Sequence, residues 1–139
     1  MVRLQSQDVI RVFLIDDEAI VLSALASLIS SWEGFQVSGE ATVAEAIEQL
    51  RSVEYDVALL SLAGSEDVDR VIVRDLSRIC GSSPLVVLVG DCDESFRQQV
   101  ARVGANRVLM KTEHPRTLQK AIRDLYETFE PDLPARLIS

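Results

Sequence analysis

The chain has 139 residues, of which 47% are hydrophobic and 26% charged, values typical of one soluble globular domain with a buried core. Its 22 acidic residues outnumber its 14 basic ones and give a net charge of −8, so direct binding of DNA or RNA is not expected. No apolar stretch has the length of a membrane span, and the N-terminal residues lack the apolar core of a signal peptide, which favours the cytoplasm.

The two ends of the chain lack the periodicity of a helix or strand. We expect residues 1–8 to form a flexible leader, residues 9–129 to form the folded domain, and residues 130–139, which include two prolines, to form a linker or tail. Cys80 and Cys92 lie before and after a predicted strand, too far apart for a disulfide. Free thiols are typical of a reducing compartment.

Strand and helix patterns alternate from residue 9 onward. The first strand is predicted at Val9 to Ile15, and a helix begins at Glu18 and ends at Gly34. Apolar residues at helical spacing predict the buried face of this helix: Ile20, Val21, Ala24, Leu25, Leu28, Ile29 and Trp32. A second strand follows, and then Thr42 and Glu45 have the spacing of a capping box at the start of a second helix.

The third strand has an unbroken apolar run, VALL, which is typical of a central parallel strand covered on both faces. A third helix, the apolar strand PLVVLVG, a fourth helix, the strand of GANRVLMK and a fifth helix starting at Pro115 complete the pattern. Five such alternations predict an α/β fold with a parallel sheet and helices on both faces.

Ligands of open α/β sheets lie beyond the carboxyl ends of the strands. The residues at those positions are Asp16 and Asp17 after the first strand, Ser61 in the third, and Lys111 after the fifth. We therefore expect these four side chains to form one pocket.

Four features of the chain resemble the receiver domain of bacterial two-component response regulators. They are the acidic pair, the strand DVALLSL, the strand PLVVLVG and the segment GANRVLMK with its lysine. The resemblance implies a flavodoxin-like five-stranded parallel sheet with strand order 2-1-3-4-5 and five helices on both faces. In many members of that family a helix-turn-helix output domain follows the receiver, and any contact with DNA would belong to that domain.

Three positions depart from the family pattern. The family has a phosphoacceptor aspartate where this chain has Ser61, a Thr or Ser where it has Val89, and a Tyr or Phe switch residue where it has Val108. A serine cannot form an acyl phosphate, and valine at the other two positions offers neither a hydroxyl nor a movable ring. We expect a degenerate pseudo-receiver with no catalytic residue, in which Ser61 is not phosphorylated.

The acidic residues that remain, Asp16 and Asp17, indicate little cofactor binding. Mg²⁺ prefers several oxygen ligands, and only the carboxylates of Asp16 and Asp17 remain, so we expect weak Mg²⁺ binding at best and no other cofactor. With one anionic ligand lost, Lys111 is expected to form an ion pair with Asp17 or Asp16. The one histidine, His114, is interpreted as a cap of the fifth helix.

Three functions stay open. The first is a regulatory module without enzyme activity that contacts another protein or a second copy, through the fourth helix, fifth strand and fifth helix or through the first and fifth helices. The second is a domain switched by a small ligand or an unusual modification at the Asp16, Asp17, Ser61 and Lys111 pocket. The third, least favoured because no histidine accompanies the serine, is a small hydrolase-like enzyme using Ser61.

Overall fold

The computed structural model describes residues 9–63, 67–90 and 92–129, in which five parallel strands alternate with five helices. The strand order is β2-β1-β3-β4-β5, as predicted. The expected leader, residues 1–8, and tail, residues 130–139, lie outside the described residues. The elements are β1 Ile10–Ile15, α1 Ala19–Ser30, β2 Phe35–Ala41, α2 Val43–Gln49, β3 Val57–Leu62, α3 Asp67–Cys80, β4 Leu85–Val89, α4 Glu94–Arg102, β5 Arg107–Met110 and α5 Pro115–Thr128.

The third and fourth strands form the centre of the molecule. Every residue of β3 and β4 is buried, which confirms that their unbroken apolar runs belong to strands covered on both faces. Successive side chains of a strand point to opposite faces, so each of these strands contributes to two cores.

The two cores lie on opposite sides of the sheet. Leu59 and Leu88 pack on the side covered by α1 and α5, together with Ile122 of α5. Leu60 packs on the other side, with Val73 of α3. The sheet therefore separates the α1 and α5 side from the side covered by α2, α3 and α4.

Local sequence signals fix the helix ends. Thr42 and Glu45 form the predicted capping box of α2, and Gly34, after α1, has a φ of 84°, a conformation that glycine adopts readily. Pro115 begins α5, and the Nδ1 atom of His114 accepts the N–H of Arg116 at 3.0 Å, which confirms the histidine as a cap. Among the described residues, no helix combines the length and apolar character needed to cross a membrane.

Neither Cys80 nor Cys92 forms a disulfide within the described residues, as expected. Cys80 is buried at the end of α3, and burial raises the pKa of its thiol, although a hydrogen bond with Tyr55 partly offsets this rise. Burial, together with that hydrogen bond, also raises the pKa of the Tyr55 hydroxyl.

Candidate functional site

The register of the strands brings the predicted site residues to one edge of the sheet. Ile15 of β1 pairs with Leu60 of β3. Asp16 and Ser61, the residues that directly follow this pair in the chain, are therefore level with each other. Lys111 directly follows β5, and its N–H donates to the carbonyl of Val89 at 2.8 Å. The acidic pair, Ser61 and Lys111 therefore all lie at the carboxyl edge.

The two aspartates bond to the backbone around them. Asp16 is only 5% exposed, and its Oδ1 accepts the N–H of Glu18 at 2.7 Å. The Oδ1 of the exposed Asp17 accepts the N–H of Val43, at the start of α2, at 2.9 Å. The pair thus connects the loop after β1 to the starts of α1 and α2, a structural role that the sequence pattern did not indicate.

The prediction that Lys111 forms an ion pair with Asp17 or Asp16 is wrong. None of the ion pairs within the described part of the chain joins Lys111 to Asp16 or Asp17. The physical reason is that each aspartate turns an oxygen toward a nearby backbone N–H, while the exposed lysine follows the end of β5 on the α1 and α5 side.

The described residues offer a metal ion few acidic side chains in one place. Residues 9–63, 67–90 and 92–129 gather no group of three or more aspartate, glutamate, histidine or cysteine side chains that could hold one. Asp16 and Asp17 each direct one carboxylate oxygen at a backbone N–H, so a bound Mg²⁺ would compete with the backbone for these oxygens.

Ser61 is enclosed but has no polar partner. The residue is 4% exposed, and its Oγ makes no hydrogen bond within the described structure. A buried hydroxyl without a partner is unusual and costs folding free energy. No carboxylate is bonded to this hydroxyl to act as a base for it.

Val89 and Val108, which we expect at the switch-equivalent positions, pack in the core on the other side of the sheet from Ser61. Val89 is fully buried on the α2, α3 and α4 side, and Val108 packs against the same cluster. Ser61, in contrast, lies beside Leu88 of β4 on the α1 and α5 side. The two valines therefore have the role of ordinary core residues, with no polar link to Ser61.

An open cavity lies next to Ser61, and it was not predicted. Its volume is about 420 Å³, and it lies between α1 and α5. Most of the stripe expected to form the buried face of α1 lines this cavity instead, and Ile20 is 77% exposed. The lining from α1 consists of Ile20, Val21, Ala24, Leu25 and Leu28.

One sequence signal could have indicated this cavity. Helix α1 reads AIVLSALASLIS and contains no charged residue, whereas a helix at a protein surface normally has a polar face. Its buried residues are only Leu22 and Ile29, so several apolar side chains face outward or into the cavity.

The chain belongs to the response regulator receiver domain family, which matches residues 12–123. Receiver domains are signalling modules. Response regulator UvrY of Escherichia coli K12 is 25% identical over 118 residues, which cover 84% of this chain and 54% of that protein. The chain thus spans about half the length of the curated relatives that it matches.

Solved structures show the same fold. The isolated receiver domain of RcsB from Salmonella enterica serovar Typhimurium, determined with the phosphomimetic BeF₃⁻, has a TM-score of 0.73 at 22% identity, covering 94% of this chain and 99% of that one. A CheY-like receiver domain protein from Methanospirillum hungatei JF-1 has a TM-score of 0.71 at 18% identity, covering 86% and 94%. The flavodoxin-like fold expected from the sequence is confirmed.

Proposed function

We propose that this chain is a receiver-like module of a response regulator that works without phosphorylation, through contact with another protein or a second copy of itself. Its setting would be transcriptional regulation in the cytoplasm. The observation that carries this proposal is Ser61, a buried residue without a hydrogen-bond partner at the position of the family's phosphoacceptor aspartate.

The chemistry of Ser61 argues against a phosphoryl switch. A hydroxyl is uncharged at neutral pH and needs a general base to become a strong nucleophile. Asp16, the first residue of the acidic pair, uses one carboxylate oxygen to accept the N–H of Glu18. No described side chain forms a hydrogen bond with Ser61 Oγ. The same argument leaves the hydrolase-like alternative without a catalytic base.

The relay beyond the site also lacks its usual groups. Val89 has no hydroxyl that could follow a phosphoryl group, and Val108 has no ring that could move between an exposed and a buried position. Both pack in the core on the side of the sheet away from Ser61. Neither valine has a polar group that could relay a change at Ser61.

The exposed surface of α1 fits a protein contact better than that of α4. Helix α1 has no charged residue, and Ile20 on it is 77% exposed. Helix α4, in contrast, has charged residues in both its first and last turns, Glu94 and Arg102. Apolar exposed surface favours association, so we propose a homodimer formed through the α1 and α5 face.

Contact with DNA would belong to another part of a longer regulator. The chain spans only about half of the curated relatives, and its net charge of −8 opposes binding to a phosphate backbone. In this proposal a C-terminal output domain binds DNA, and the receiver-like module controls the association of two such domains.

Phosphotransfer tests the proposal directly. The chain is incubated with acetyl phosphate and Mg²⁺, and the intact mass is measured, with Ser61→Asp as the matched variant that restores the family's carboxylate. We expect no mass increase for the unaltered chain. A stable phosphoryl adduct on the unaltered chain contradicts the proposal.

A further inference from the structure

The cavity between α1 and α5 has the size and character of a small-molecule site. Its volume of about 420 Å³ falls within the range of roughly 300 to 1,000 Å³ that is common for ligand pockets. Leu88 and Leu109 of the sheet line it, with Leu118 of α5 opposite the apolar side chains of α1. Such a lining favours an apolar ligand body.

A polar group lies just behind the wall of this cavity. Ser61 lines it, and the hydroxyl is buried without a hydrogen-bond partner among the described residues. An apolar residue would serve as well as serine if the position only filled space. A ligand with a hydrogen-bond acceptor would satisfy the hydroxyl once the Ser61 side chain rotates toward the cavity.

The other polar groups of the lining include two hydrogen-bond donors, Lys111 and His114, and one acidic side chain, Glu113. Lys111 lines the cavity and takes part in none of the ion pairs of the described residues. His114 accepts the N–H of Arg116 through Nδ1, so the proton of its neutral ring is on Nε2, a second donor. The Glu113 carboxylate accepts the N–H of Met110 at 2.8 Å, which engages the one acidic group of the lining.

From these observations we infer that the cavity binds a small amphipathic monocarboxylate. Its apolar body lies between α1 and α5, and its carboxylate accepts hydrogen bonds from the Ser61 hydroxyl and the Lys111 ammonium group. This site differs from the acidic pocket, because Asp16 and Asp17 do not line the cavity. The inference goes beyond the proposed function, and because Ile20 belongs both to the cavity and to the proposed dimer face, ligand and dimer contact would share this surface.

The experiment is an amide NMR titration of the 139-residue chain with octanoate, below its micelle-forming concentration, and in parallel with octanol. Octanol has the same chain length but no charge. The variants are Ser61→Ala, which removes the hydroxyl, and Ala24→Phe, which fills the cavity from the exposed side of α1. Ser23→Phe is the matched control, because Ser23 is exposed on the same helix and does not line the cavity.

We expect octanoate to shift the amide signals of Ala24, Ser61 and Leu109 saturably, with octanol binding several-fold more weakly. Loss of a hydrogen bond to a charged group should weaken octanoate binding to Ser61→Ala by about tenfold or more. Ala24→Phe should abolish binding, and Ser23→Phe should retain it. The dispersion of each spectrum reports whether the variant is folded.

Three results would overturn the inference: no saturable shifts, equal binding of octanol and octanoate, or unchanged binding in folded Ala24→Phe or Ser61→Ala. The titration contains no phosphodonor. Its failure therefore leaves the phosphorylation test of the proposed function unaffected, and the reverse also holds.

Discussion

Ser61 and Val89 lie on adjacent strands but on opposite sides of the sheet. Ser61 is level with Leu88 and lines the cavity between α1 and α5, whereas Val89 is buried among α2, α3 and α4. Ser61, which we expect at the phosphoacceptor position, and Val89, expected at the hydrogen-bonding relay position, thus share no polar contact. The missing contact supports the proposal carried by Ser61, that the module does not depend on phosphorylation.

Ser61→Ala should not destabilise the fold. The substitution removes a buried hydroxyl without a partner, so we expect the free energy of unfolding to rise by about 1 kcal/mol. Urea denaturation measures the change. Ser77→Ala is the matched control, because Ser77 Oγ donates to the carbonyl of Gly104 at 3.2 Å and its loss should lower stability by about 1 kcal/mol. Equal destabilisation by both substitutions would show that Ser61 has a polar partner after all.

Restoring a carboxylate at position 61 should restore metal affinity. Ser61→Asp places a third acidic group level with Asp16, and we expect Mg²⁺ to bind at least about tenfold more tightly than to the unaltered chain. Calorimetry with MgCl₂ measures this affinity. Ser61→Asn has nearly the same shape without the charge and should give no such gain. An equal gain in Mg²⁺ affinity in both variants would show that the missing negative charge at position 61 is not the cause of weak Mg²⁺ binding.

Charging the exposed surface of α1 should reduce self-association. Ile20 is 77% exposed, so Ile20→Glu should leave the free energy of unfolding nearly unchanged while placing a charge on the proposed dimer face. Sedimentation velocity measures the dimer fraction. Val68→Glu, at an exposed position of α3 on the other side of the molecule, is the control and should leave that fraction intact. The homodimer face is wrong if Ile20→Glu has no effect or if both variants act alike.

Stability should fall in alkaline solution. Burial raises the pKa values of Cys80 and Tyr55, so the unfolded chain releases these protons at a lower pH than the folded chain does. The contribution of these two groups to the free energy of unfolding is complete below the ordinary thiol pKa of about 8.5. It declines as the pH rises further. Urea denaturation at pH of about 7 and about 10 measures the decline. Tyr55→Phe should show a smaller decline, and a stability that increases over this range would contradict the assignment.

Much of the fold could be predicted because it depends on local patterns. The unbroken apolar runs of β3 and β4, and the Thr42 and Glu45 capping box, are visible in the sequence and are confirmed. The strand order came from the resemblance to receiver domains, because periodicity alone does not give the order of strands. The residues at the carboxyl edge followed from the parallel arrangement.

The side-chain details could not be predicted, because they depend on distances of a few ångströms. The position of Asp16 and Asp17 at a strand end does not reveal that each turns toward a backbone N–H instead of toward Lys111. Similarly, the apolar residues at helical spacing on α1 predict a buried face. The same spacing occurs whether that face packs against the core or lines a cavity. Ile20 is the clearest example, since it fits the spacing and is nevertheless exposed.

We propose that the module has lost its phosphorylation switch, and an amide NMR titration with Mg²⁺ and then beryllofluoride is the sharpest test of this loss. Beryllofluoride imitates the phosphoryl group on a receiver aspartate, and Ser61→Asp serves as the variant that restores this aspartate. We predict that the spectrum of the unaltered chain does not change on addition of beryllofluoride. Shifts that spread from Asp17 and Ser61 to Val89 and Val108 would contradict the claim, because they would mean that the site still accepts a phosphoryl-like group and transmits its presence.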